Sequence, residues 1–121
     1  MTGVLVLAHG SRKSETEITM EKIVEYAREI LKMEHIEAAY MEFRARSLES
    51  GLLGLMAKGV DDIKVVPYFL FDGVHIQEDI PAEIAAFREK HPEVQVSMGG
   101  TLGADRRLAE VLADRIREAL Q

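Results

Sequence analysis

Four times over, the chain follows a short and nearly unbroken apolar run with a longer amphipathic stretch, and that alternation limits the fold more than any other feature. "GVLVLA" (3–8) has no polar break, as a strand covered on both faces requires. "SETEITMEKIVEYAREILKM" (14–33) then sets Ile18, Ile23, Tyr26, Ile30 and Met33 at three- to five-residue steps, read as a helical face. Ser14 with Glu17 fits a capping box at its start. "IEAAYMEF" (36–43) reads as a second strand and "LESGLLGLMAKG" (48–59) as a short helix closing at Gly59. "IKVVPYFLF" (63–71) is the third strand, where Pro67 implies an edge position or a strand end. "DIPAEIAAFREKH" (79–91) is the third helix, with Asp79 as N-cap and Pro81 in the first turn. "VQVSMGG" (94–100) and "ADRRLAEVLADRIREAL" (104–120) complete the set.

Four βα units imply a parallel sheet with helices on both faces, a three-layer αβα fold. Right-handed crossovers leave few strand orders, and 2-1-3-4 is the expected one. There is no internal repeat or linker, so residues 1–121 read as one domain. With no cysteine in the chain, disulfides, thiolate metal sites and cysteine nucleophiles are excluded. The net charge of −6 argues against a nucleic-acid partner. No apolar run reaches the ~18 residues of a membrane span, and the first residues do not read as a signal peptide. Cytoplasmic residence is the expectation.

In open α/β sheets, ligands bind beyond the carboxyl ends of the strands where strand order reverses, here between strands one and three. His9 follows strand one in "LAHGSR", and His75 follows strand three in "FDGVHIQED". The two loops should be neighbours, with both imidazoles over one crevice. A neutral imidazole binds divalent transition metals or moves protons near neutral pH, whereas a lone loop histidine is usually only a solvated hydrogen-bonding group. His35, in a helix-to-strand turn, and His91, near a helix C-terminus, fit the latter description. Arg12, Lys13, Arg44 and Arg46 gather at the same edge, where they would attract a polycarboxylate if they are more than surface charge. Glu42 closes strand two, either as a ligand and proton acceptor or as an ion-pair partner for a nearby arginine.

Other chemistries fail on spacing. No G-x-x-x-x-G-K-[ST] phosphate loop is present, no G-x-G-x-x-G follows a strand, and "HGSRK" is not the nucleophile elbow G-x-S-x-G. A histidine phosphatase wants an arginine just before its histidine, and Ala8 stands there. "GGTLG", ahead of the last helix, is a weak anion-binding signal.

With "LAHGSR", "YMEFRARSLESGL", "VVPYFLFDGVHIQEDIP" and "GGTLGADRRLAEVLADRI" in view, the chain resembles the short, single-domain sirohydrochlorin cobaltochelatases. These look like half of a ferrochelatase-type (class II) chelatase. The resemblance covers nearly the whole chain. It implies insertion of a divalent metal, typically Co²⁺, into sirohydrochlorin without ATP, with Ni²⁺ and Fe²⁺ handled by related members and no other cofactor. By the same resemblance His9 and His75 bind the metal and assist deprotonation of the macrocycle; two pyrrole protons must leave, and Glu42, from its place at the end of strand two, is the expected acceptor of the second. Ser11, Arg12, Arg44 and Arg46 become substrate contacts. A homodimer is implied, since longer relatives join two such units around one site. The pattern departs from the family at "FRARSL" and "MGGTLG", which places the substrate contacts of Arg44 and Arg46 in question.

Overall fold

The computed structural model describes residues 1–10, 14–41 and 44–121. Four strands, β1 (Thr2–Ala8), β2 (Ile36–Tyr40), β3 (Asp62–Pro67) and β4 (Gln95–Met98), form one sheet in the order β2-β1-β3-β4. All three pairings are parallel, with Leu5 opposite Glu37 and Val65, and Val65 opposite Met98. The expected topology is borne out. Between the strands run α1 (Ser14–Leu31), α2 (Leu48–Ala57) and α3 (Ile80–Lys90), and α4 (Arg106–Ala119) follows β4.

The period-two alternation of the strands sorts their side chains into two cores. Leu5, Leu7, Ile63, Val65 and Val96 point to one face, where α2 brings Leu48, Leu52 and Leu55 and α3 brings Ile80, Ile84 and Phe87. Ala8, Ile36, Ala38 and Tyr40 point to the other, where α1 inserts Met20 and Val24. The last helix behaves differently: α4 buries no residue at all, although Val111, Leu112 and Ile116 give it an apolar stripe.

Several boundaries shift for local reasons. The second strand ends at Tyr40 rather than Phe43, and the third at Pro67 rather than Phe71. Proline has no N–H to extend a ladder, so a strand-end Pro67 fits even though β3 is interior. Asp79 is not an N-cap: its backbone is already helical (φ −68°, ψ −49°) and its side chain caps nothing, because a π-helical turn, His75–Asp79, precedes α3. Pro81 lacks the N–H that an α-turn would send back to Gln77, which fits the wider turn. Gly59 (φ +92°) closes α2 after Ala57, the left-handed ending only glycine adopts without strain. His91 sits at the helix end as expected, whereas the ring of His35 is not solvated as expected: its Nδ1 is buried and no hydrogen bond reaches it among the described residues. The His35 carbonyl accepts from Val4 N–H at 2.8 Å, and His91 caps α3 with its ring stacked on Phe87 at 4.5 Å.

Candidate functional site

The strand-order reversal puts the loops after β1 and β3 side by side at the carboxyl edge. Pairing runs past the strand ends on both flanks of β1: Tyr68 N–H donates to Leu7 O at 2.8 Å, and Met41 N–H to Ala8 O at 2.9 Å. His9 therefore emerges exposed from the middle of the sheet, between the ends of its two neighbours. The Phe69 ring meets its imidazole edge-on, with centroids 6.4 Å apart, so an apolar wall from the β3 loop limits the ring's swing.

Gly10 explains the residue pair "HG". Its φ is +87°, and a Cβ built there would lie 3.0 Å from the Cβ of Tyr40. Only glycine gives the chain both a left-handed turn and that close approach. Tyr40 beneath it is fully buried, and burial raises its phenol pKa above the ordinary 10.0, with Arg46 pulling the other way. The imidazole of His9 thus stands on a rigid turn seated on a packed aromatic ring.

His75 begins the π-helical turn that carries the β3 loop into α3, and Gln77 N–H donates to Gly73 O at 3.0 Å across its start. Both histidines thus sit on backbone leaving adjacent strands at one edge, as the crevice rule anticipates. The π turn is a feature that sequence reasoning missed, and "HIQEDIP" carried its signal in the proline. Among the described residues no three of His, Asp and Glu form a group able to hold a metal ion. Ser11, Arg12 and Glu42, three of the expected site residues, lie outside the described residues, as does Lys13.

Arg44 and Arg46 form a single 3₁₀ turn between β2 and α2. Arg46 does not point at the crevice. Its guanidinium donates to Glu17 at 3.1 Å and Glu21 at 2.8 Å on α1, reaches Ala38 O at 3.4 Å, and stands 5.3 Å over the Tyr40 ring. Burial disfavours its charge, but the bonds to Glu21 and Glu17 outweigh that and raise its pKa above the usual value. Arg28 does the same job one turn along, donating to Ile36 O at 2.7 and 3.0 Å and to Glu37 at 3.5 Å. Ile36 and Ala38 offer the outward carbonyls of an edge strand, and two arginines satisfy them. The weak anion signal ahead of α4 is answered by the chain itself: Asp105 caps the helix, accepting from Arg107 N–H at 2.9 Å and from its guanidinium at 2.7 Å.

Beside the histidine loops an open cleft of 880 Å³ lies between the N-termini of α2 and α3, over Tyr40 and Met41. Ser47 caps α2 there, accepting from Ser50 N–H at 3.2 Å, and Glu49, Asp79 and Glu83 make the rim acidic. A field of that sign favours an approaching cation.

A sequence profile of the CbiX family matches residues 3–119. A sirohydrochlorin cobaltochelatase of Methanopyrus kandleri is 33% identical over 140 aligned positions, covering 99% of this chain and 98% of its own. The crystal structure of a CbiX protein from Marinobacter aquaeolei VT8 superposes with a TM-score of 0.80 at 32% identity, over 99% of this chain and 98% of that one. The sirohydrochlorin chelatase SirB from Bacillus subtilis subspecies spizizenii, solved in complex with cobalt, gives 0.86 at 25% identity, over 97% of this chain but 50% of its own length. Sheet order, paired loops and a match running almost from end to end agree: this chain belongs to the CbiX family.

Proposed function

We propose that this protein is a metal chelatase that inserts a divalent ion, Co²⁺ first, into sirohydrochlorin without ATP, serving tetrapyrrole and cobalamin biosynthesis. The observation that carries the reading is the end-to-end match, at 33% identity, to a sirohydrochlorin cobaltochelatase of similar length. The metal is the substrate, not a resident cofactor. His9 and His75 bind the incoming ion through neutral imidazole nitrogens and accept protons from the macrocycle. Two pyrrole N–H bonds break as the nitrogens take the metal. One proton passes to a histidine and the other to Glu42, each to be released to water. Ser11, Arg12 and Arg44 meet the carboxylates of the macrocycle. Arg46 serves the site indirectly, by fixing α1 to the end of β2.

Residues 1–121 act as one chelatase domain, and the active form is a homodimer. The SirB match over half of that chain supports this, because a second copy would supply the wall that a longer chain carries within itself. Imidazole ligands suit nickel and iron as well as cobalt. The test is to mix purified protein with sirohydrochlorin and Co²⁺, Ni²⁺ or Fe²⁺ in parallel and follow the absorbance of the macrocycle. Acceleration, greatest with Co²⁺, is expected. Rates equal to protein-free controls with all three metals would overturn the assignment.

A further inference from the structure

The loop after β3 opens with three apolar residues, and the fold treats them differently. Leu70 and Phe71 are 51% and 81% exposed, whereas Phe69 just before them is half-buried. The backbone of Phe69 is held on both flanks. On the β1 side, Tyr68 N–H donates to Leu7 O at 2.8 Å; on the β4 side, the Phe69 carbonyl accepts from Leu102 N–H at 2.9 Å. Leu102 belongs to "GGTLG" (99–103), and Gly99 at the start of that run donates its N–H to Val65 O at 2.8 Å. The glycine-rich run therefore follows β3 beyond its end, from Val65 to Phe69. Its backbone braces the β3 loop.

Register explains why the Phe69 ring meets His9. Leu5 stands opposite Val65 and Leu7 opposite Pro67. The bond from Tyr68 to Leu7 carries the same register one residue past β3, and one residue more brings position 69 opposite position 9. Neighbouring strands lie ~4.8 Å apart, so side chains at facing positions reach one another. The two rings stand 6.4 Å apart between centroids with their planes at 71°, an edge-to-face aromatic pair. Gly10, seated on Tyr40, already fixes the backbone beside His9, which leaves rotation about the two side-chain bonds to be decided. A solvent-facing side chain exchanges among staggered rotamers, and a ring standing beside it removes those that would overlap it.

We infer that Phe69 is a positioning residue for His9: tied to β1 through Tyr68 and to the β4–α4 loop through Leu102, it holds the imidazole in one rotamer, ready for the incoming metal ion. This rests on the chelatase reading above and assigns Phe69 to the metal half of that reaction, apart from the macrocycle. A ligand held in its binding conformation before the ion arrives loses less freedom on binding, and so binds more tightly.

The test compares Phe69→Ala and Phe69→Tyr in the full chain. Phe69→Leu, which keeps apolar bulk without the ring, replaces Phe69→Ala if circular dichroism shows that variant unfolded. Three-bond couplings in the His9 side chain, measured by nuclear magnetic resonance and assigned with His9→Ala, report the rotamer without metal or macrocycle. One dominant rotamer is expected in the parent and in Phe69→Tyr, and an average over several in Phe69→Ala. In chelation assays with each substrate varied in turn, Phe69→Ala should raise the KM for Co²⁺ about 3- to 10-fold, the range an edge-to-face pair can contribute. The KM for sirohydrochlorin should stay within about twofold, and Phe69→Tyr should keep both parent values. A His9 ring that averages over rotamers in the parent, or stays fixed in Phe69→Ala, would overturn the inference. So would a raised KM for sirohydrochlorin with that for Co²⁺ unchanged, which would make Phe69 a macrocycle contact. Lower stability in urea with both KM values kept would leave Phe69 a packing residue only and overturn it as well. A parent without turnover would overturn the chelatase reading, and the couplings would still decide whether Phe69 holds His9.

Discussion

Arg46→Ala separates a structural arginine from a substrate-binding one. The side chain is about one-third exposed, 35%, and its partners Glu17 and Glu21 are 29% and 41% exposed. Fully exposed pairs are worth ~0.2–1 kcal/mol, and hydrogen bonds to charged groups ~1.5–3 when shielded. Half-screened bonds of 3.1 and 2.8 Å therefore contribute roughly 0.5–1 kcal/mol each. The guanidinium over Tyr40 adds ~0.5 kcal/mol, giving a loss on substitution of about 2 kcal/mol. For a chain of this size that is a fall in Tm of roughly 8 °C. Urea unfolding should show it as a lower midpoint at unchanged slope, partly diminished in high salt. A double-mutant cycle with Glu21→Gln should return a coupling of ~0.5–1 kcal/mol. Affinity of the folded variant for sirohydrochlorin should change little. The reasoning fails if stability holds within ~0.3 kcal/mol while macrocycle affinity falls tenfold.

Other perturbations read out different parts of the site. Gly10→Ala must place a Cβ 3.0 Å from Tyr40 at φ +87°; a loss of ~2–4 kcal/mol by urea unfolding is expected, with chelation falling as His9 is displaced. His9→Ala and His75→Ala should each abolish metal insertion while leaving circular dichroism unchanged and stability within ~0.5 kcal/mol of the parent, since His9 is exposed on the loop after β1 and His75 only opens the π turn ahead of α3. Either variant keeping near-parent activity would remove that residue from the mechanism. Burial raises the Tyr40 pKa, so the fold favours the neutral phenol. Stability from this group is intact below pH 10 and is lost as pH rises through the folded value. Tyr40→Phe should accordingly remove tyrosinate absorbance that develops above pH 10 in the folded protein.

Sequence alone determined what depends on neighbours along the chain. Unbroken apolar runs alternating with helical stripes required a parallel sheet, chirality restricted the strand order, and that order alone made neighbours of the loops holding His9 and His75. Pattern also set His35 and His91, away from the strand carboxyl ends, apart from His9 and His75 at that edge. Tertiary structure decided what depends on groups distant in sequence. Arg46 looked like one more cation at the substrate edge. It is a clamp because β2 is an edge strand whose outward Ala38 carbonyl needs a donor, and because Glu17 and Glu21 lie within reach on α1. Gly10 looked like half of a short motif until Tyr40 was seen packed beneath it. Asp79 had the right residue type for a cap, yet the π turn had already begun the helix at His75. For α4 the amphipathic stripe was legible and its exposure was not. A 3.6-residue period marks one apolar face, but only the packing of the other elements shows that α4 buries none of it.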